Sequence, residues 1–423
     1  MLEVYLVMKE TRTLEYKEQV TNTFLKTVSA YANYGTGIIM FGVNDEGVRV
    51  GIKNPEQVCL DIENKINDSI DPVPHYTLHV DEKFSVITLT VEEGQHKPYF
   101  YKSKAYRRND SATIEVDRLE LTRLILEGQN MAYEELPAKV QEFKFTALEA
   151  ELKEKLKIQE VSLDTLKTLE LYSDENGYNN AAEIFSDNNG FCGIDIVRFG
   201  DTIDIFLDRE TCVNESVISQ YNDAVNMYRK YDQYEKVEGL TRNIHALIPE
   251  EAYREAIANA LVHRTWDTRA HIKVAMFKDR IEITSPGGLT KGITPEDYLR
   301  GGLSILRNRI IGNIFFRLHL IERFGTGIRR ITEAYRDSAL KPNFEFHENS
   351  ITVVLPVMLE CYNLTEDEEK VYALLRGKAV ASSAIIQATG FGKSKVLGIV
   401  KKLISDGYVK SIGSGRGMKY TLR

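Results

Sequence analysis

The chain has 423 residues, 43% hydrophobic and 27% charged, with a formal net charge of −8, the profile of an ordinary soluble protein with room for roughly three or four domains. No run of about eighteen apolar residues occurs, and the start lacks a basic region followed by a long apolar stretch, which argues against a membrane span and against export. Four scattered cysteines (Cys59, Cys192, Cys212, Cys361) lack metal-ligand spacing, so a reduced, cytoplasmic location is expected.

The first 130 residues read as an α+β domain. Phe24, Val28 and Tyr31 repeat at helical spacing up to Gly35, and Ile38 to Val43 form a strand. Asn44-Asp45-Glu46-Gly47 is a turn, and Phe84 to Val91 alternates as another strand. Lys97 to Arg108 interleaves cations with aromatics. Two readings stay open there: a surface that binds phosphates and stacks bases, or an amphipathic strand with solvated lysines. His75 and His79 are four apart in a strand-like stretch with no third ligand nearby, so no metal site is expected of them.

Leu14-Glu15-Tyr16-Lys17, then Ser29 to Gly37, then Phe41 to Gly47 with Gly51, resemble the Schlafen AlbA-type domain of bacterial regulators, over roughly residues 8 to 127. The resemblance implies nucleic-acid binding. In vertebrate Schlafen endoribonucleases a similar frame carries two glutamates and an aspartate that bind metal for RNA cleavage, and the matching positions here are Glu10, Glu15 and Asp45. Glu10 and Glu15 would face oppositely on a straight strand, so a shared ion requires a bend between them. The alternative makes Glu15 and Lys17 a same-face pair and Asp45 a turn residue.

Residues 131–240 suggest helices over Thr146 to Leu156, Leu163 to Leu169 and Asn180 to Phe185, strands over Gly193 to Phe199 and Thr202 to Leu207, and a long helix from Val217 to Tyr234. A connecting or dimerising role is expected. Next, Pro249-Glu250-Glu251 opens a helix on which Tyr253, Ala256, Ile257, Ala260 and Leu261 form the buried stripe. Glu255, Asn259 and His263 line a different side. His271 to Phe277 and Ile281 to Thr284 read as paired strands, and Gly325-Thr326-Gly327 precede a helix whose free amides could receive a phosphate.

The box Arg254 to Arg264 and the later Gly325-Thr326-Gly327 resemble the GHKL superfamily of ATP-binding domains, in the divergent form found behind Schlafen AlbA-type domains. The resemblance implies that Glu255 polarises water or the metal shell, that Asn259 binds magnesium, and that Gly325 and Gly327 lie beneath the phosphates of ATP. Where active members carry an adenine-reading aspartate, this chain has Ser285-Pro286-Gly287-Gly288. An unmet buried donor costs about 1 to 3 kcal/mol, so ATP binding and hydrolysis both stay open.

From Lys370 the last 54 residues carry a net charge of about +10, against about −18 for everything before them. Thr365 caps a first helix to about Arg376, and Ser382-Ser383 cap a second over Ala384 to Ala388. After the turn at Thr389-Gly390, a third runs from Lys393 to Ser405, with Val396, Ile399, Val400 and Leu403 as its apolar stripe. Tyr408 to Leu422 reads as a hairpin with a glycine-rich tip, completing a winged helix-turn-helix. Gly392-Lys393-Ser394 mimics a phosphate-binding loop, but Gln387 stands where that loop needs glycine, so no helicase is indicated.

The expectation is an α+β multidomain chain: a Schlafen AlbA-type α/β domain (1–130), a connecting region (131–240), a GHKL-like α/β sandwich (241–358) and a winged helix (363–423). It would be a homodimeric DNA-binding transcriptional regulator, with ATP and magnesium as open ligands. Lys393, Lys395, Lys401 and Lys402 would meet the major groove, and Arg416 and Lys419 the backbone or minor groove. The enzymatic alternatives are a metal-dependent nuclease and an ATPase.

Overall fold

The computed structural model describes residues 9–238, 241–301, 305–322, 325–336, 338, 340–358, 364–375, 378–405, 408–413, 415 and 418–422. The chain divides into two units, residues 1–132 and 133–423.

In the first unit, β1 (Leu14–Lys17) runs parallel to β2 (Gly37–Phe41), and helix α1 (Phe24–Tyr34) makes the crossover. Helix α2 (Pro55–Ser69) follows, then β3 (Tyr76–Asp81) and β4 (Val86–Val91), giving a sheet ordered β1-β2-β4-β3. Phe24, Val28 and Tyr31 are buried as their spacing predicts, against Ile39, Phe41, Ile62, Ile66 and Leu89. β4 starts two residues later than expected because Ser85 has φ 52, a left-handed turn that a strand cannot continue through. The hairpin β5 (Tyr106–Asn109) and β6 (Ala112–Glu115) and helix α3 (Arg118–Gly128) complete the unit.

Polar residues of α1 have a structural task here. The Asn33 amide donates to the Tyr99 carbonyl (2.9 Å) and accepts from its N–H (2.8 Å), while Ser29 Oγ donates to the same carbonyl (2.7 Å). The pair satisfies a backbone segment that no strand reaches. The base-stacking reading of residues 97–108 is corrected: Tyr99, Tyr101 and Tyr106 are buried. Lys97 is buried too, against Glu93 (2.6 Å) and Glu127 (2.8 Å).

In the second unit the expected helices stand as α4 (Thr146–Leu156), α5 (Leu163–Thr168) and α6 (Asn180–Phe185). Then come β7 (Ile194–Phe199), β8 (Phe206–Cys212) and α7 (Val217–Asp232). The strand expected over Thr202 to Leu207 lies further on, because those residues make the turn that closes on the Gly200 N–H to Ile205 carbonyl bond. A hairpin, β9 (Gln233–Glu238) and β10 (Thr241–Ala246), follows α7 where the sequence had suggested only the helix end.

Helix α8 (Glu250–His263) buries Tyr253, Ala256, Ile257, Ala260 and Leu261, as its periodicity requires. Next come β11 (Ile272–Met276), β12 (Arg280–Pro286), α9 (Pro295–Arg300), α10 (Arg309–Arg317), α11 (Gly327–Ala334), β13 (Asn343–His347) and β14 (Ser350–Pro356). The sheet order is β8-β7-β11-β12-β14-β13, with β7 and β11 parallel and the other neighbours antiparallel. The stretch expected to connect domains therefore supplies two strands of this sheet.

The tail contains α12 (Glu366–Leu374), β15 (Val380–Ala381), α13 (Ser382–Thr389), α14 (Lys393–Ser405), β16 (Val409–Ile412) and β17 (Lys419–Leu422). Thr365 caps α12 as expected, in a capping box with Glu368, whereas α13 starts at Ser382 without a side-chain cap. Gly390, at φ 71, ends α13 in the left-handed conformation that a side chain disfavours. Val396, Ile399, Val400 and Leu403 face a core with Val371, Leu375, Ile385 and Tyr420, and the three strands pair in the order β15-β17-β16. Arg416 lies outside the described residues.

Candidate nucleotide cleft and nucleic-acid surface

Helices α8 and α11 pack together, and beside them lies a small cleft of about 70 Å³ open to solvent. Asn259, His263, Tyr298, Arg307, Gly325 and Gly327 are among its lining residues. The structure thus brings Asn259, Gly325 and Gly327 to one site. Glu255 adjoins it: Asn259 Nδ2 donates to Glu255 Oε1 at 3.3 Å, and a Cβ placed on Gly327 would collide with both side chains. Only glycine lets the start of α11 approach α8 this closely.

Burial raises the Glu255 carboxyl above its usual range, opposed by Arg330 and the Asn259 hydrogen bond. Burial, helped by the Arg307 charge, lowers His263 to about 4, so its imidazole is neutral at pH 7. The end of α8 is sealed by Arg264, whose guanidinium donates to the carbonyls of Cys192 (2.6 Å) and Ala270 (2.7 Å), and by Asn308, which donates to the carbonyls of Val262 and Arg264. The Ser285 hydroxyl donates to the Ala260 carbonyl (2.8 Å). That side chain is spent on holding β12 to α8.

Sequence reasoning passed over Arg307, which donates to the Gly288 carbonyl at 2.6 Å on the cleft wall. The available signal was Arg307-Asn308-Arg309, a cationic cluster between glycines and an apolar helix. It also missed Glu134, a buried carboxylate that accepts from the N–H groups of Ile310 (2.6 Å) and Ile311 (3.0 Å) and so caps α10.

Glu10, Glu15 and Asp45 do not converge into a three-acid group among the described residues, so the geometry lends the nuclease alternative no support. A bend does separate the two glutamates, as convergence demanded: Thr11 and Leu14 form a tight bridge. Glu10 then accepts from the Tyr16 N–H at 2.9 Å. The buried Glu15 carboxylate is held by Arg108, by Lys17 (2.6 Å) and by the Thr27 hydroxyl (3.1 Å). Asp45 is exposed in the turn that Asn44 braces by accepting from the Val48 N–H. Two cations already neutralise Glu15, so the ionic need that a metal would meet is filled.

In the tail, Lys393, Lys395, Lys401, Lys402 and Lys419 are all exposed. Lys395 pairs with Asp367 (2.6 Å) and lies over the Phe391 ring, and Lys402 pairs with Glu368 (2.8 Å). These two tie α14 to α12 while their side chains remain about half exposed. Lys393 and Lys401, with Ser394 and Leu397 between them, occupy the exposed side of α14.

Residues 10–117 match the family model described as "Schlafen, AlbA_2", and residues 269–355 match that described as "Putative ATP-dependent DNA helicase recG C-terminal". The first unit carries a Schlafen AlbA_2 domain, and the second an ATPase-type domain of the RecG C-terminal kind. The second match starts after α8 and ends before the tail. No curated protein matches the chain. Among solved structures, the DIP2311 protein from Corynebacterium diphtheriae aligns over 97% of this chain and 92% of its own, at 17% identity and a TM-score of 0.49. The N-terminal domain of a RecG-related protein from Nitrosomonas europaea aligns over 25% of this chain and 80% of its own, at 20% identity and a TM-score of 0.19. Among the described residues, no helix is long and apolar enough to cross a membrane.

Proposed function

We propose that the protein is a DNA-binding transcriptional regulator whose second unit responds to a nucleotide. The observation that carries the reading is α14: Lys393 and Lys401 stand about two turns apart on its exposed side, in a three-helix and three-strand arrangement that we read as a winged helix. Lys410 and Lys419 on the paired strands add exposed charge. Both family descriptions belong to nucleic-acid and ATP-related proteins, which supports the same reading. The protein is expected to act as a homodimer, since paired half-sites double the contacts a single module makes.

The decisive test compares the full chain with a truncation ending at Leu364 for duplex-DNA binding over a salt series. The full chain should bind more tightly and lose affinity steeply with salt. Equal binding by both would refute the assignment.

In the cleft, the amides opening α11 and the Gly325 turn suit a phosphate, while Asn259 and Glu255 would hold the magnesium that accompanies it. That ion would supply charge neutralisation at the phosphates. With Ser285 turned to the Ala260 carbonyl, adenine selectivity must be weaker than in members that carry the aspartate. A melting shift with ATP and magnesium, absent in Asn259→Ala, tests the site, and phosphate release tests the ATPase alternative. The nuclease alternative has no comparable support, because Glu15 is engaged by Arg108 and Lys17.

A further inference from the structure

Away from the cleft, a buried thiol meets carboxylates where β8 faces α7. Ligand atoms of Glu210, Cys212 and Asp223 all lie within 4.8 Å of one another. Cys212 is only 4% exposed, so its sulfur is directed inward among the acids. Glu215, in the connection between β8 and α7, is near enough for its charge to act on Cys212. Burial and neighbouring carboxylates raise Cys212 to about 12 and Glu215 to about 7. The Lys230 charge reaches Glu210, but that lysine is paired with Asp208 at 2.8 Å.

An independent observation lies one turn before Asp223 on the same helix. Gln220 is fully buried and donates through Nε2 to the Glu215 carbonyl at 3.0 Å, yet its Oε1 has no hydrogen-bond partner. The Gln220 amide carbon and the Cys212 carbonyl both abut Gly193, so the amide lies near the backbone of the cysteine. Glu215 Oε1 is likewise buried and without a partner. Unsatisfied buried acceptors beside crowded carboxylates form an environment that a cation relieves.

We propose that Glu210, Cys212 and Asp223 bind one divalent cation of borderline softness, with the Glu215 charge and the Gln220 amide close by. One sulfur with two carboxylate oxygens is a donor set that zinc accepts, and three protein ligands leave one position for water. It would fasten edge strand β8 to α7. Because a thiol must lose its proton to bind metal, affinity falls as the solution is acidified. The site is independent of the nucleotide reading, so either can fail alone.

The test uses the full chain stripped with chelator, then titrated with zinc and, as a spectroscopic substitute, cobalt. One metal per chain and a thiolate-to-cobalt charge-transfer band are expected. Cys212→Ala should abolish the band. Asp223→Asn should weaken zinc binding by more than the roughly tenfold that an outer-shell change costs, with the circular dichroism spectrum retained. No band in the folded wild-type chain, or a band that survives Cys212→Ala, would overturn the proposal. Should Cys212→Ala not fold, unchanged zinc affinity in Asp223→Asn would overturn it equally.

Discussion

Lys402 on α14 holds Glu368 on α12 at 2.8 Å, and the same carboxylate accepts from the Thr365 N–H at 2.8 Å. One acid therefore caps its own helix and fastens the next. Lys402→Ala should lower the melting temperature of the tail. Its partner gives the pH signature: Lys402, then the Thr365 N–H, hold the Glu368 carboxyl below its usual range. The stability it contributes is present above the ordinary glutamate pKa and is lost as pH falls through the lowered value. Melting curves across acidic pH should show that loss in wild type and much less of it in the variant.

Lys393 and Lys401 predict the opposite phenotype. Replacing both by alanine should leave melting unchanged and weaken DNA binding across sequences, with the log-affinity against log-salt slope reduced by about one per lysine. Fluorescence anisotropy over a salt series measures it.

Glu134 supplies a prediction for the second unit. Glu134→Ala leaves the buried N–H groups of Ile310 and Ile311 without their acceptor, at a cost of about 1 to 3 kcal/mol each. Burial raises this carboxyl from 4.5 to about 7, against the pull of the two backbone hydrogen bonds. The folded state thus binds the proton more tightly than the unfolded chain. Its contribution is complete below pH 4.5 and declines as pH rises through 7, and Glu134→Gln should flatten that dependence in denaturant titrations.

Gly327→Ala tests the contact between α8 and α11. The added methyl meets the Glu255 carboxylate and the Asn259 amide, so overpacking should cost about 1 to 3 kcal/mol and remove any melting shift with ATP and magnesium. A variant that kept both stability and response would show that the two helices need not approach so closely.

In the first unit, Arg108→Ala strands the buried Glu15 beside Lys17 alone and should destabilise the unit by about 3 to 5 kcal/mol, read by denaturant unfolding. Glu15→Gln should leave RNA cleavage with manganese no different from wild type. Cleavage lost only in that variant would restore the nuclease reading.

Local signals in the chain were strong where one element decides its own fate. The stripe Tyr253, Ala256, Ile257, Ala260 and Leu261 placed α8, Thr365 as cap placed the start of α12, and Val396 to Leu403 placed α14. Each rests on periodicity or capping within a dozen residues, and burial in the structure follows it. Glu255, Asn259, Gly325 and Gly327 were singled out through a family resemblance, and Asn259, Gly325 and Gly327 line one cleft.

What folding alone decided concerns partners distant along the chain. The alternation of Ile194 to Phe199 announces a strand but not that it runs beside β11, and nothing near Glu134 says that it caps a helix starting at Arg309. The lysines of α14 look equivalent in sequence, yet two are bound to α12 and two are not. The spacing of side chains along one segment fixes that segment's buried face, because backbone geometry repeats. Which charge meets which, and whether a carboxylate is left for a metal or consumed by an arginine as Glu15 is by Arg108, depends on contacts between segments that only the assembled fold brings together.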